Sequence, residues 1–297
     1  MAIDRGLVLE RRQFVKAAGA LFATGLVTRQ AEALAHTEVV FAAATIGKDR
    51  SYGAAIFDER GQILHQIDLP GRGHDVTANK LTGDLVVFAR RPGTFAIVFG
   101  RTSQPRLISS PPARHFYGHG TFSADGRLLY ATENDYENAL GKIGIYDATD
   151  GYTRLGEFDS YGIGPHEIAL MPDGQTLLVA NGGIETHPDY GRQKLNLPTM
   201  QSTIAKIDTQ SGHLISAHRL PDHLDKISLR HLAIDAQGTA YLGGQAQGDF
   251  ESLKPIVWRM PDENDPTPLN ADDPLSSILK GYVSSVGLSD NGTQLAV

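Results

Sequence analysis

The sequence predicts an all-β fold of the β-propeller class, with two blade counts open: five blades and a stub left over, or, the favoured reading, seven blades with the C-terminal part of the ring absent from this chain. Three observations carry that prediction. Thirty-two glycines and 15 prolines punctuate a chain that is 41% hydrophobic, as expected of many short strands joined by tight turns. No amphipathic helical period of useful length follows residue 36. One pattern of strand, x-Gly turn and strand recurs five times.

The elements follow in order. Glu10-Arg11-Arg12-Gln13-Phe14-Val15-Lys16 resembles a bacterial twin-arginine export signal. The apolar run Ala17 to Val27 behind it has 11 residues, short of the ~20 a spanning helix requires. Ala33-Leu34-Ala35 supplies a small-x-small cleavage site. Residues 1–35 are therefore read as a signal peptide and residues 36–297 as the propeller domain, which implies a periplasmic protein that meets the twin-arginine translocase during export and keeps no membrane span. Glu38 to Ala44, Gly53 to Asp58 and Gln62 to Leu69 read as the last three strands of a blade whose first strand comes from the far end of the ring. The repeats then begin at His74, His119, His166, His231 and Ser285, spaced 45, 47, 65 and 54 residues apart, and periods of this length with four short strands each mark propeller blades. The turns are Thr82-Gly83, Asp125-Gly126, Asp173-Gly174, Gln237-Gly238 and Asn291-Gly292. Lys142 to Asp147, Thr153 to Phe158, Thr203 to Asp208 and His213 to Leu220 supply further strands.

Blade geometry places the polar residues. The first strand of a blade lines the central channel and the second returns, so the start of one and the end of the other share a rim. His74, His119, His166 and His231 are expected to ring that rim. Arg90, Glu133, Asn181 and Gln245, each seven residues past a turn glycine, are expected beside them. The long connections Asn134 to Gly141 and Gly182 to Met200, the second carrying His187, fold over the same mouth. Loops on a rigid scaffold are where binding residues concentrate.

Charge and composition exclude several classes. The signal segment takes five basic and three acidic residues with it, leaving 22 basic against 31 acidic and a net charge of minus nine. That balance disfavours nucleic acid, and leaves a small molecule, a metal ion or a periplasmic protein as partner. With no cysteine, disulfides, thiolate metal sites and Cys-x-x-Cys-His haem attachment are excluded. His166-Glu167 opens like a zincin, but Leu170 stands where His-Glu-x-x-His needs its second histidine. No Gly-x-Ser-x-Gly elbow, phosphate-binding loop or EF-hand loop is present.

Gly118-His119-Gly120-Thr121-Phe122-Ser123, Glu133-Asn134-Asp135-Tyr136-Glu137, Asn181-Gly182-Gly183-Ile184, Thr186-His187-Pro188, Gly191-Arg192-x-Lys194-Leu195-Asn196-Leu197 and Leu229-Arg230-His231-Leu232-Ala233 resemble the domain-of-unknown-function 1513 family, from about residue 37 onward. The resemblance implies an exported seven-bladed propeller, of a kind often encoded beside imelysin-like periplasmic iron-uptake proteins. It brings no established reaction.

Three readings of the rim stay open. His119, His166 and His231 with Glu133 form a nitrogen and oxygen donor set for iron, copper or zinc. The wider set of His74, Arg90, His119, Glu133, Asn134, His166, Asn181, His187, His231 and Gln245 suits a small ligand or protein partner. Alternatively the histidines are a structural device copied in each blade, each ring tied to neighbouring strands. A hydrolase of the lactonase type is the enzymatic alternative, with Arg90 stabilising an oxyanion and Glu133 or His166 as general base.

Overall fold

A computed structural model of the protein describes residues 41–100, 104–248, 256–262, 264–269, 279, 281–289 and 291–297. The twin-arginine segment and the expected mature start at His36 lie outside the described residues. Among the described residues, every regular element longer than a 3-10 turn is a strand. Among the described residues no helix is long and apolar enough to cross a membrane.

The strands pair antiparallel with their sequence neighbours, and successive sheets follow one another along the chain. β1 (Phe41–Ile46), β2 (Tyr52–Phe57) and β3 (Ile63–Asp68) make a three-stranded sheet. β4 (Gly73–Ala78), β5 (Leu85–Ala89), β6 (Phe95–Phe99) and β7 (Arg106–Ser109) make the second. The third holds β8 (Arg114–Phe122), β9 (Leu128–Asp135), β10 (Leu140–Asp147) and β11 (Thr153–Asp159). β12 (Pro165–Leu170), β13 (Thr176–Asn181), β14 (Thr203–Asp208) and β15 (Leu214–Arg219) form the fourth, and β16 (Ile227–Ile234), β17 (Ala240–Ala246), β18 (Val257–Met260) and β19 (Thr267–Pro268) the fifth. β20 (Gly287–Leu288) and β21 (Leu295–Ala296) pair at the end of the chain. The architecture is β-propeller-like, with the first strands β4, β8, β12 and β16 lying beside one another.

Local chemistry sets the turns. Asp58, Asp125, Asp173 and Asp235 each accept from the amide two residues on at 2.8–3.1 Å, a side-chain turn that the following glycine completes with positive φ, 67° at Gly126 and 69° at Gly174. The Ser123 hydroxyl, and after it the Arg127 amide, hold the Asp125 carboxyl below the usual carboxylate range. The long connection after β13 is not bare loop, since Pro188–Tyr190 and Leu197–Thr199 each make a 3-10 turn.

The second strands are buried on both faces, which explains why they read as continuous apolar runs. Leu85 and Val87 pack toward the first sheet, while Val86 and Phe88 pack toward the third. Leu129 and Ala131 meet that second sheet from the other side, and Tyr130 turns toward the fourth. Leu177 and Val179 face back to the third sheet, Leu178 and Ala180 forward to the fifth. A separate apolar core thus fills each gap between adjacent sheets.

Buried ionic chemistry braces the third sheet. Glu133 is fully buried, accepting from the Tyr146 hydroxyl at 2.6 Å and the Arg154 guanidinium at 2.9 Å. Arg154 also holds Glu157 at 2.8 Å, and Arg114 links Glu157 (3.3 Å) to Asp135 (2.8 Å).

Phe88 has no exposed surface, and its ring lies 5.7 Å from that of Phe116 across the gap. Its Cζ fills the space a side chain would need at Gly120, where an added Cβ would come within 2.6 Å. Phe88→Ala should lower stability by about 3–5 kcal/mol, read in urea titrations by the fluorescence of Trp258, the sole tryptophan. A loss below about 1 kcal/mol would show that this gap does not pack as described.

Candidate functional site

Four first strands deliver four histidines to one place because each strand is interrupted at that point. The ladder slips between Gly73 and Val76 in β4, Phe116 and Gly120 in β8, Pro165 and Glu167 in β12, and Leu229 and His231 in β16. Such β-bulges bend a strand and re-aim the side chains at the extra residue. Here the slips coincide with His74, His119, His166 and the Arg230-His231 pair. Gly118, with φ at 112°, leaves room for the neighbouring ring: an added Cβ would fall 2.3 Å from His74 Cδ2.

The imidazoles form one cluster. Ring centroids lie 4.8 Å apart for His74 and His119, 5.1 Å for His119 and His166, and 4.9 Å for His166 and His231. The cross distances are 5.6 Å from His119 to His231 and 5.9 Å from His74 to His166. His119, His166 and His231 are buried, and His74 reaches solvent. Two carboxylates join them. Glu167 Oε2 is 2.8 Å from His231 Nδ1, its Oε1 is 3.7 Å from His119 Nδ1, and Asp75 Oδ2 is 3.3 Å from the same nitrogen. The His119 contacts are close without hydrogen-bond geometry, so both of its ring nitrogens are buried and unbonded. His166 Nδ1 and His231 Nε2 are in the same condition.

The electrostatics sort the rings into unlike roles. Burial, then the charge of His119, holds His166 well below the ordinary imidazole range. His74 is pushed down to about 3 by desolvation among the other rings and then by His119. Burial opposes a charge on His119 too, but Glu167 and Asp75 outweigh it and raise its pKa. Asp75 answers in kind: desolvation works against its charge, and His119 beside it holds its carboxyl low. Within the cluster, the two carboxylates favour charge on His119, while burial and neighbouring cations oppose it on His74 and His166.

Two sets of donors are close enough to share an ion. His74, His119 and His166 each offer an atom within 4.8 Å of the others, as do His119, Glu167 and His231. A tetrahedral ion with bonds of about 2.0 Å spaces its donors roughly 3.3 Å apart, so modest ring rotations would close either set. His119 belongs to both.

Several expected partners sit elsewhere. Glu133, expected as a metal ligand and as a hydrolase base, belongs to neither set. Its carboxylate is consumed by Tyr146 and Arg154, because its strand position aims it into the sheet interior and not at the channel. Glu167 is the carboxylate that reaches the histidines. Asn181 donates to the Ser160 carbonyl at 2.8 Å and the Thr203 hydroxyl at 3.1 Å, tying the loop before β12 to the sheet. Asn134 donates to His115 Nε2 at 3.1 Å and the Thr186 carbonyl at 3.2 Å, anchoring the long connection. His187 caps the first 3-10 turn by accepting from the Asp189 amide at 3.2 Å. Gln245 pairs with Ser228 in the fifth sheet and bridges to Tyr282. Arg90 stays near the cluster, where its charge acts on His74. The sequence singles out Glu167 only as half of an incomplete zincin motif and Asp75 not at all, although each directly follows a repeat histidine.

A family model described as "Protein of unknown function (DUF1513)" matches residues 67–297. The chain belongs to this family. The sequence finds no match among curated proteins. Among solved structures, the chain is similar to the hydrazine synthase of Kuenenia stuttgartiensis, with a TM-score of 0.61 and 14% identity over 85% of this chain and 71% of that one. At that identity the likeness marks the fold alone. For this DUF1513 protein, the histidine cluster rests on its own geometry.

The buried rings give a pH signature. His115, in the same strand as His119, is held at about 4 against an ordinary 6.5, by burial first, and burial likewise holds His166 well below the ordinary imidazole range. Unfolded, both rings titrate near 6.5, so below that value the unfolded state binds more protons and stability falls with pH. The stability from these neutral rings is whole above about pH 6.5 and drains away toward pH 4. His119, with its raised value, works the opposite way in a window above 6.5. In chelator-treated protein the thermal midpoint should therefore drop from pH 6.5 to pH 4. A flat midpoint over that interval would mean that the rings titrate freely.

Proposed function

We propose that this protein is an exported, periplasmic seven-bladed propeller that binds a divalent transition metal, zinc, copper or iron, at the histidine cluster. The observation that carries the reading is the pair of overlapping donor sets, His74 with His119 and His166, and His119 with Glu167 and His231, each with its donor atoms within 4.8 Å of one another. Buried ring nitrogens of His119, His166 and His231 also lack hydrogen-bond partners, and buried polar atoms are almost always bonded. Imidazole with one carboxylate suits zinc, copper and iron alike. His74, His119 and His166 would hold the ion, with Glu167 orienting His231 at its flank, in the manner of a carboxylate that fixes a ligating ring. A role as accessory to iron acquisition is the physiological extension, supported only by the family resemblance. Purely structural histidines fare less well, since among the described residues His231 alone of the four makes a hydrogen bond through its ring.

Calorimetric titration of metal-free protein with each ion, followed by elemental analysis, tests the site. Wild type should retain about one equivalent, and His119→Ala, which breaks both donor sets, should weaken binding by on the order of 100-fold. Glu133→Gln should leave affinity unchanged while lowering stability. A wild type that takes up none of the three ions would end the metal reading.

Export is tested separately. Replacing Arg11 and Arg12 together by lysine should trap the chain in the cytoplasm, read by cell fractionation. Unaltered delivery to the periplasm would remove the twin-arginine reading.

A further inference from the structure

Elsewhere in this protein, sequestered arginines are paired. Arg114 and Arg154, both largely buried, reach two carboxylates each. Beside the histidine cluster the rule breaks. Arg90, Arg91 and Arg230 are partly buried, and none of them has an ion pair or side-chain hydrogen bond to a carboxylate among the described residues. Arg230 Nε is fully enclosed and unbonded. Arg72, Arg192 and Lys194 add charge around them, and Lys194 reaches only the neutral side chain of Gln247.

These cations press on one another. Burial first, then the charge of Arg91, pushes Arg230 down to about 10. Burial, then Arg72, Arg192 and Arg91, lowers Arg90. Lys194 is lowered by burial and by Arg230 and Arg91. In a chain of net charge minus seven, a cluster of uncompensated cations is a local device and not a reflection of composition.

The guanidinium planes are held from behind. Arg91 Cζ lies 5.7 Å from the centre of the Tyr117 ring, and Arg230 Cζ lies 5.9 Å from that of Tyr282. A cation over an aromatic face is attracted by the ring's quadrupole without using up its N–H donors. Tyr117 is itself locked, buried with its hydroxyl 3.4 Å from Thr186 Oγ1. Chain connectivity ties the patch to the cluster: Arg230 precedes His231 in the bulge of β16, and Tyr117 lies two residues before His119 in the bulge of β8.

We infer that the channel mouth binds a multiply charged oxyanion, gripped by Arg91 and Arg230 and steered by Arg90, Arg72, Arg192 and Lys194, immediately beside the histidines. Planar forks of this kind match carboxylate and phosphate oxygens two at a time. The inference goes beyond the metal reading and does not need a metal in place.

The test uses purified protein stripped of metal by a chelator that is then removed by dialysis. Citrate and inorganic phosphate are titrated separately at constant ionic strength in chloride, with binding read by calorimetry. Saturable binding of either at one equivalent is expected, and the tighter of the two identifies the carboxylate or the phosphate class. Arg91→Gln and Arg230→Gln should each weaken it by about tenfold or more, whereas Arg219→Gln, on an exposed outer strand, should not. Circular dichroism and Trp258 fluorescence confirm that each variant is folded. No binding above the chloride background, or full affinity in the Arg91→Gln/Arg230→Gln double variant, would overturn the proposal. Metal titrations in citrate- and phosphate-free buffer run beside these. Metal uptake that survives Arg91→Gln while anion binding is lost separates this site from the ion, and anion binding by a protein that takes up no metal would leave this proposal standing alone.

Discussion

Everything in this molecule depends on second strands that are apolar on both faces. A strand with one wet face can end a fold, but β5, β9 and β13 each supply alternate side chains to two different cores. None of their sheets is complete without a neighbour on either side. That mutual requirement stacks the sheets around a common line, and the stacking brings their first strands together. The histidine cluster is a by-product of this geometry, refined by bulges.

The cluster also shows how a repeat escapes its own symmetry. Four copies of one imidazole in equal surroundings would repel whenever more than one carried a proton. Asp75 and Glu167 break the equality, and both converge on a histidine of another sheet. His119, whose own repeat has glycine in the acid's place, thereby has its pKa raised by carboxylates from two other sheets. Arg90 and Arg230 lie near enough for their charge to act on His74 and His166, so cationic side chains border the cluster.

Much of this was legible in the sequence because its causes are local. Turn chemistry at Asp125-Gly126 and Asp173-Gly174 and the two-residue alternation around it announce hairpins, and their spacing announces the repeat. β14 runs from Thr203 to Asp208 as the pattern predicts. The four histidines were placed together by counting from the turns. The bulges were not foreseen, because a ladder slip leaves no mark in residue type, and a slip decides which of two consecutive residues faces the channel. For that reason Glu167 could not be ranked above Glu133. Asn181 and Asn134 look like binding residues in sequence, yet they satisfy backbone carbonyls of loops that must be tied down. Arg230 was quoted only as part of a motif, since nothing local says whether a guanidinium will find its carboxylate.

The bulges carry one more consequence. Because each of four consecutive sheets contributes a single imidazole, the cluster measures how those sheets sit relative to one another. A tilt of one sheet by a few degrees, too small to disturb the cores between sheets, moves one ring against three. Occupancy of the centre would resist such tilting, stiffening the scaffold from its axis outward, and the long connection over the mouth would feel that stiffness through Asn134 and Thr186. In this sense the site is a clasp, and whatever closes it also decides how rigid a face the protein shows to the world around it.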